Sequence, residues 1–471
     1  MSVFRSFPKT FWIANFIELL ERWAWYGFFM LFANYLTGST ETGALGFSQA
    51  QKGTIMGVGT AILYFLPLLT GSIADRFGYK RVLFFAFVIY TSAFIMLPLF
   101  DTFTSVFLMY LYLAVGAALF KPVISATIAK TTNDTNASIG FGIFYMMVNL
   151  GAFFGPLLTL LFRADNYDWV FYISAGIISL NFVMLFFYKE PGRIEISSSF
   201  AASMKAVFGN IRVALSDFKF IIFLLLVAGF WTMYNQLFYT LPVFIVQWVD
   251  TSSVYQFFAQ WMPSVASSYG SNGQMDAEFI TNFDALFIIC FQILVSSAIM
   301  RWKPLNAMMS GFLVCSLGMA LTLFSQNGAF TLVAIFIFAV GEMAGSPKIT
   351  EYLGRIAPPD KVALYMGCSF LPVFAGNIFA GYISGVVYGR MSDKDTLVHN
   401  EVMERGLEVA ESLTKNEYFA EAARQMQMTQ TELTQYLWTQ YNPSSIWVVV
   451  LGIGLLSSLG LFLYDRFLMR K

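Results

Sequence analysis

The sequence predicts an all-α membrane protein of twelve transmembrane helices arranged as two six-helix bundles. Three observations carry that expectation. Of the 471 residues, 57% are hydrophobic and only 12% are Asp, Glu, Lys or Arg; a soluble domain carries about 25% charged residues, so this chain could not cover a water-facing surface. Apolar runs of the ~20 residues needed to span a bilayer recur at 11–37, 52–73, 81–100, 104–129, 138–162, 168–188, 218–248, 279–300, 304–325, 328–356, 361–389 and 444–467. One substantial polar break, the Ser-rich stretch 189–217, divides them six and six. The expected organisation is an N-terminal bundle (1–188), a cytoplasmic linker (189–217) and a C-terminal bundle (218–471) with external insertions at 249–278 and 390–443.

The composition also excludes function classes. Lys plus Arg equals Asp plus Glu at 28 each, so no net charge points to nucleic acid. Cys290, Cys315 and Cys368 are odd in number, lie in apolar runs and lack metal-ligand spacing. The single histidine, His399, lies in a polar stretch. No disulfide, metal or cofactor is expected, and an enzyme finds no Cys/His pair or nucleotide loop. The chain begins with a short polar segment (Arg5, Lys9), and its first span carries Glu18, Glu21 and Arg22. The apolar core of a cleavable signal peptide would not hold such charges, so none is expected.

Basic residues orient the spans. With the N-terminus inside, the cytoplasmic segments hold Arg5 and Lys9; Arg76, Lys80 and Arg81; Lys130; Lys189, Arg193, Lys205, Arg212 and Lys219; Arg301 and Lys303; Arg355 and Lys361; and Arg466, Arg470 and Lys471. The external side keeps Lys52, Arg163 and the five of the 390–443 insertion. This is the positive-inside pattern, and it places both termini in the cytoplasm. The 249–278 insertion is rich in Ser, Gly and aromatics. The 390–443 insertion is acidic and reads as short soluble helices, with Thr429 and Glu432 at capping-box spacing. Both insertions read as solvated caps without a transport role; the acidic one also offers a partner surface if the chain is a sensor.

Charges inside spans are functional candidates, because each costs about 2.5–3.5 kcal/mol at the bilayer centre. They are Glu18, Glu21, Arg22, Lys121, Asp284, Glu342, Lys348 and Glu351. Their acidic excess suits a protein that binds protons along with a charged substrate. Glu18, Glu21 and Arg22 stand at i, i+3 and i+4, so both carboxylates can reach the guanidinium, and Tyr26 lies one turn beyond Arg22. On spacing alone this is either a functional cluster or a buried ion group pinning the first span to a neighbour. Glu342 is either a second proton site or an ion-pair partner.

Several segments are similar to one family. Glu18-Leu-Leu-Glu21-Arg22-Trp23-Ala-Trp25-Tyr26-Gly27 resembles the E-x-x-E-R-F-x-Y-Y-G signature of the proton-dependent oligopeptide transporters, with Trp23 and Trp25 at two aromatic positions. Phe144-Tyr145-Met-Met-Val148-Asn149-Leu-Gly151 resembles their F-Y-x-x-I-N-x-G, Phe120-Lys121-Pro122 their F-K-P, and Ser346-Pro347-Lys348-Ile349-Thr350-Glu351 their S-P-x-x-x-E. Gly71-Ser-Ile-Ala-Asp75-Arg76-Phe-Gly78-Tyr-Lys80-Arg81 resembles the loop signature of all major facilitators. The matches fall in order across both halves, outside 249–278 and 390–443.

The resemblance implies the major facilitator fold and proton-coupled import of di- and tripeptides by alternating access, with the substrate at the midplane between halves. It assigns the substrate carboxylate to Arg22 and Lys121, and the amino end to Asn149 and Glu351, assisted by Asn282. Trp25, Tyr26 and Tyr64 would line the N-terminal half of the site. Lys121 would alternate between Glu351 and substrate, because Lys is a point charge that can change partners while Arg grips carboxylate in a planar fork. Proton coupling would involve Glu18, Glu21, Arg22 and Glu351. The expected partners are short peptides, protons and the lipid bilayer, the functional unit a monomer, and the location a bacterial inner membrane.

Two positions depart from the family pattern. Asn235, in Phe230-Trp231-Thr-Met-Tyr-Asn235-Gln236, stands where the family usually has a titratable carboxylate. Lys348 lies three residues before Glu351 on one helical face, where it either competes with Lys121 for Glu351 or snorkels to a polar crevice. A carrier of nitrate or another small anionic or zwitterionic substrate is the nearest rival reading, followed by a non-transporting sensor.

Overall fold

The structure is a computed structural model that describes residues 6–133, 136–163, 166–192, 200–357 and 362–469. Among the residues that orient the spans, Arg5, Arg193, Lys361, Arg470 and Lys471 lie outside it.

The N-terminal bundle comprises α1 (Lys9–Thr37), α2 (Gln49–Phe65), α3 (Pro67–Phe77), α4 (Tyr79–Met96), α5 (Phe103–Lys130), α6 (Ala137–Arg163) and α7 (Asp168–Phe187). The linker folds α8 (Phe200–Ala214). Beyond it come α9 (Phe218–Tyr234), α10 (Gln236–Tyr239), α11 (Leu241–Trp248), α12 (Ser252–Trp261), α13 (Pro263–Tyr269), a short hairpin of β1 (Gly270–Ser271) and β2 (Gln274–Met275), and α14 (Ala277–Thr281). The remainder is α15 (Phe283–Ile299), α16 (Pro304–Leu321), α17 (Gly328–Ile356), α18 (Val362–Gly367), α19 (Phe370–Tyr382), α20 (Tyr388–Met391), α21 (Lys394–Glu404), α22 (Lys415–Gln425), α23 (Gln430–Tyr441) and α24 (Ile446–Tyr464).

Among the described residues, ten helical stretches are long and apolar enough to cross a membrane, and α2 with α3, bent by 43°, makes an eleventh. Pro67 stands at the bend; it lacks an N–H and cannot continue the hydrogen-bond ladder of the helix. The charge-bearing α1, 29 residues long, is the twelfth, as expected from the sequence. The seventh span is broken into α9, α10 and α11 at Asn235 and Thr240, with Pro242 in the first turn of α11.

The bundles close on each other at the end that carries the insertions. There α2 meets α19 backbone to backbone. A Cβ on Gly53 would overlap the carbonyl oxygen of Gly381, and one on Gly57 would come within 2.8 Å of the Gly381 Cα, so glycine is required at this approach. Lys52 departs from its expected place in an external loop. It is fully buried in α2, because the capping box of Ser48 and Gln51 starts the helix at Gln49. Its Nζ donates to the Tyr239 carbonyl at 2.8 Å, at the break of the seventh span, and so satisfies a backbone acceptor as burial demands.

The 390–443 insertion forms α21, α22 and α23, and the Thr429–Glu432 capping box is present. This cap is tied to both bundles. Asp393 Oδ1 accepts from Gln49 Nε2 at 2.9 Å and from Gln247 Nε2 at 2.8 Å. Lys415 Nζ donates to the carbonyls of Thr37 and Phe47, each at 3.0 Å. Between the cap, the 249–278 insertion and the closed ends of the bundles lies an open cavity of about 1550 Å³, bordered by Arg163, Glu278, Asp250, Lys394 and Lys415. Burial in its wall pulls the Lys394 ammonium down to about 8.

Candidate functional site

The best-defined charged site lies on α1. Arg22 Nε bonds Glu21 Oε2 at 2.5 Å and Glu18 Oε1 at 3.1 Å. The Tyr90 hydroxyl of α4 donates to the other Glu21 oxygen at 2.5 Å. All three charged side chains are buried. The helical spacing read from the sequence therefore becomes a closed network, in which the buried charges are paired as their desolvation requires. Gly151, in the Phe144–Gly151 segment, explains how α6 packs here: a Cβ would stand 2.6 Å from the Arg22 Cβ, so only glycine lets α6 approach the cluster.

Lys121, on α5 beside Pro122, carries its ammonium over the Tyr64 ring, 4.1 Å from the centroid, a cation–π contact. Tyr64, expected from the sequence as a wall residue of the N-terminal half, lies against this ammonium. Trp25 is buried, stacked on Phe29 at 5.3 Å, which makes it core packing in this arrangement. Asn149 on α6 is half-buried and donates to its own helix at the Tyr145 carbonyl, 2.8 Å, leaving its amide oxygen available. Asn282, at the junction of α14 and α15, donates to the Phe153 carbonyl of α6 at 2.9 Å and bridges the two bundles; its Oδ1 is buried without a hydrogen-bond partner.

The C-terminal half is wired differently. Glu351 does not pair with Lys121. Lys348 Nζ holds one of its oxygens at 2.7 Å and Arg355 the other at 2.5 Å. Lys348 therefore takes the pairing role and does not merely snorkel. Arg355, assigned from the sequence to a cytoplasmic segment, is a second partner one turn further on. Asn235 donates to the Trp231 carbonyl of its own helix at 2.8 Å. The neighbouring Tyr234 hydroxyl donates to Glu342 Oε1 at 3.0 Å, so Glu342 is not an ion-pair member among the described residues.

A second charged cluster sits at the closed end and was not singled out from the sequence. Arg163 at the end of α6 bonds Asp276 at 2.5 Å and Glu278 at 3.1 Å, and Asn34 of α1 donates to Glu278 at 2.7 Å. Glu278 is fully buried, although the sequence puts it at the edge of a polar insertion. Burial pushes the Asp276 carboxyl up to about 6, with Arg163 opposing and Glu278 adding to the rise. These contacts join α1 and α6 to the start of the eighth span. Polar flanks of spans read as loop, and no local pattern signals that two of them meet.

The best-defined charged network thus lies within the N-terminal bundle, beside a second bundle that touches the first at the insertion-bearing end. Solved structures with a similar fold include a peptide transporter POT in complex with sulfate (TM-score 0.72, 17% identity, 98% of this chain and 95% of that one). Another is a POT family transporter in complex with 5-aminolevulinic acid (TM-score 0.73, 16% identity, 99% of each chain). Among curated proteins, the MFS-type transporter YqjV of Bacillus subtilis is 22% identical over 353 residues, 73% of this chain and 79% of its own length. The peptide transporter YePEPT of Yersinia enterocolitica is 27% identical over 175 residues, 36% of this chain and 34% of its own. The model of the Major Facilitator Superfamily matches residues 11–381, and this chain belongs to that superfamily.

Proposed function

We propose that this protein is a proton-coupled importer of di- and tripeptides in the proton-dependent oligopeptide transporter branch, working by alternating access. The observation that carries the reading is the buried Glu18–Glu21–Arg22 network with Lys121 and Tyr64 in the same bundle. It offers two cations for a substrate carboxylate, and carboxylates that release or take a proton when a cation changes partner. Contact at the insertion-bearing end, and exposure of Tyr145 and Met146 on α6, fit a state open toward the cytoplasm. The proposed membrane is the bacterial inner membrane, with cytoplasmic termini and a monomer as the working unit.

Substrate would draw Arg22 from the Glu18–Glu21 pair, a carboxylate would take a proton, and downhill proton entry would drive uptake. The test is uptake of a labelled dipeptide into liposomes with and without an inward proton gradient. Gradient-driven uptake is expected, and Glu21→Gln should abolish concentrative uptake while exchange at equal concentrations persists. Uptake indifferent to the gradient retires proton coupling; no saturable uptake of any di- or tripeptide retires the substrate.

A second reading, a carrier of another small anionic or zwitterionic molecule, is favoured by one observation. Glu351, the expected acceptor for a peptide ammonium, is held by both Lys348 and Arg355. Competition by amino acids and small organic acids for dipeptide uptake separates the two.

A further inference from the structure

Two carboxyls deep in the C-terminal bundle have no cation among the described residues. Asp284 stands in the first turn of α15 and is 5% exposed; Glu342 lies midway along α17 and is 9% exposed. Ile288, one turn beyond Asp284, packs with Ala339 and Met343, which flank Glu342. The two carboxyls thus share one α15–α17 interface, and Glu342 is the charged neighbour that acts on Asp284. The Tyr234 hydroxyl reaches Glu342 Oε1. Asp284 Oδ1 and Glu342 Oε2 are buried with no hydrogen-bond partner among the described residues.

The titratable groups that surround the pair come from four other helices: Tyr26 of α1, Tyr145 of α6, Tyr234 of α9 and Cys315 of α16. All are neutral acids, and none can offset a carboxylate. Burying an ionised carboxylate without a cation costs several kcal/mol, and two carboxylates at one site do not both ionise. A single proton removes one of the two charges and makes one carboxyl an O–H donor, the hydrogen-bond donor that the unpartnered oxygens lack.

We propose that Asp284 and Glu342 share one proton and form a second proton site in the C-terminal bundle, separate from the Glu18–Glu21–Arg22 network. Its coupling role rests on the proton-driven cycle proposed above; its occupancy does not. Tyr26 follows Arg22 by one helical turn and also lies in the field of Glu342, so α1 borders both proton sites.

Two measurements on the full-length protein test this. The first is infrared difference spectroscopy of the substrate-free protein between neutral and alkaline pH. A protonated-carboxyl band is expected in the wild type and should be lost in Glu342→Gln and in Asp284→Asn. Each introduced amide donates to the remaining carboxylate and stabilises its charge. Unchanged elution on size exclusion checks that the variants fold. A band that persists in both variants overturns the site. The second is the proton-to-substrate ratio in liposomes. Each variant should lose one proton per cycle, which lowers limiting accumulation about tenfold per unit of pH gradient. The double variant should lose no more than either single one, because the proton is shared. An unchanged ratio overturns the coupling role. If wild-type uptake ignores the gradient while the band behaves as expected, the site stands and the transport reading fails. Sodium-dependent stabilisation lost in Glu342→Gln, without a carboxyl band, overturns the proposal in favour of a metal cation.

Discussion

The two bundles treat their buried charges in opposite ways. In the N-terminal bundle, one guanidinium on α1 serves two carboxylates, and a tyrosine from α4 closes the network. In the C-terminal bundle, Lys348 and Arg355 in the last third of α17 both hold Glu351. Asp284 and Glu342, deeper in the bundle, have no cation among the described residues, and each has an oxygen buried without a hydrogen-bond partner. In the first bundle both buried carboxylates touch a cation. In the second the partly exposed Glu351 does so, and the interior carboxyls are left to a proton. One bundle is therefore suited to gripping a charged ligand and the other to a titratable group without a fixed partner.

The largest expected effect comes from removing the cation of the N-terminal network. Arg22→Ala leaves Glu21 fully buried with only a hydroxyl as partner. Breaking a buried pair in this way costs about 3–5 kcal/mol, so loss of uptake and a lower melting temperature in detergent are expected. Arg22→Lys should restore stability in part but not uptake, because an ammonium lacks the guanidinium fork. Wild-type uptake by Arg22→Ala would make the two bundles equivalent and break the comparison.

An intermediate effect is expected where the bundles meet. The Asp276 carboxyl is pushed from 3.8 up to about 6 in the closed arrangement. A solvated Asp in an open arrangement would keep its ordinary value, so the closed form binds the proton more tightly. Lowering the pH through this window therefore favours closure. Above about 6 the cost of the ionised, buried carboxylate is fully present, at most about 3 kcal/mol at 1.36 kcal/mol per unit of pKa. Spin-label distances across the insertion-bearing end should shorten as the pH falls from neutral toward 3.8. Asp276→Asn should flatten that dependence, while Arg163 keeps Glu278 as a partner. A dependence that survives Asp276→Asn would place the titrating group elsewhere.

The smallest effect belongs to Lys348. Glu351 is one-third exposed and retains Arg355, and partly exposed pairs are worth about 0–1 kcal/mol. Lys348→Ala should change substrate affinity less than about fivefold. Binding isotherms across pH measure this. No change at any pH would show that the pairing of Lys348 with Glu351 has no part in binding, and would leave the C-terminal bundle with only its interior pair as a distinguishing feature.

What the sequence determined by itself is local. Apolar length set the spans, because a bilayer imposes one dimension on every helix. The i, i+3, i+4 spacing put Glu18, Glu21 and Arg22 together, because an α-helix alone fixes that geometry. The same holds for the Thr429–Glu432 capping box and for Lys348 beside Glu351, where the spacing left pairing and snorkelling both open. Tertiary structure decided what each charge meets from elsewhere in the chain. Lys52 and Glu278 read as external residues, yet both are fully buried, because helices from the opposite bundle cover them. Arg163 found its carboxylates more than a hundred residues away. Lys121 was expected at Glu351 but lies on Tyr64, since the bundles part where those two helices would meet. The cost of a charge depends on its solvent and partners, and in a two-bundle protein both are supplied by contacts that no local spacing encodes.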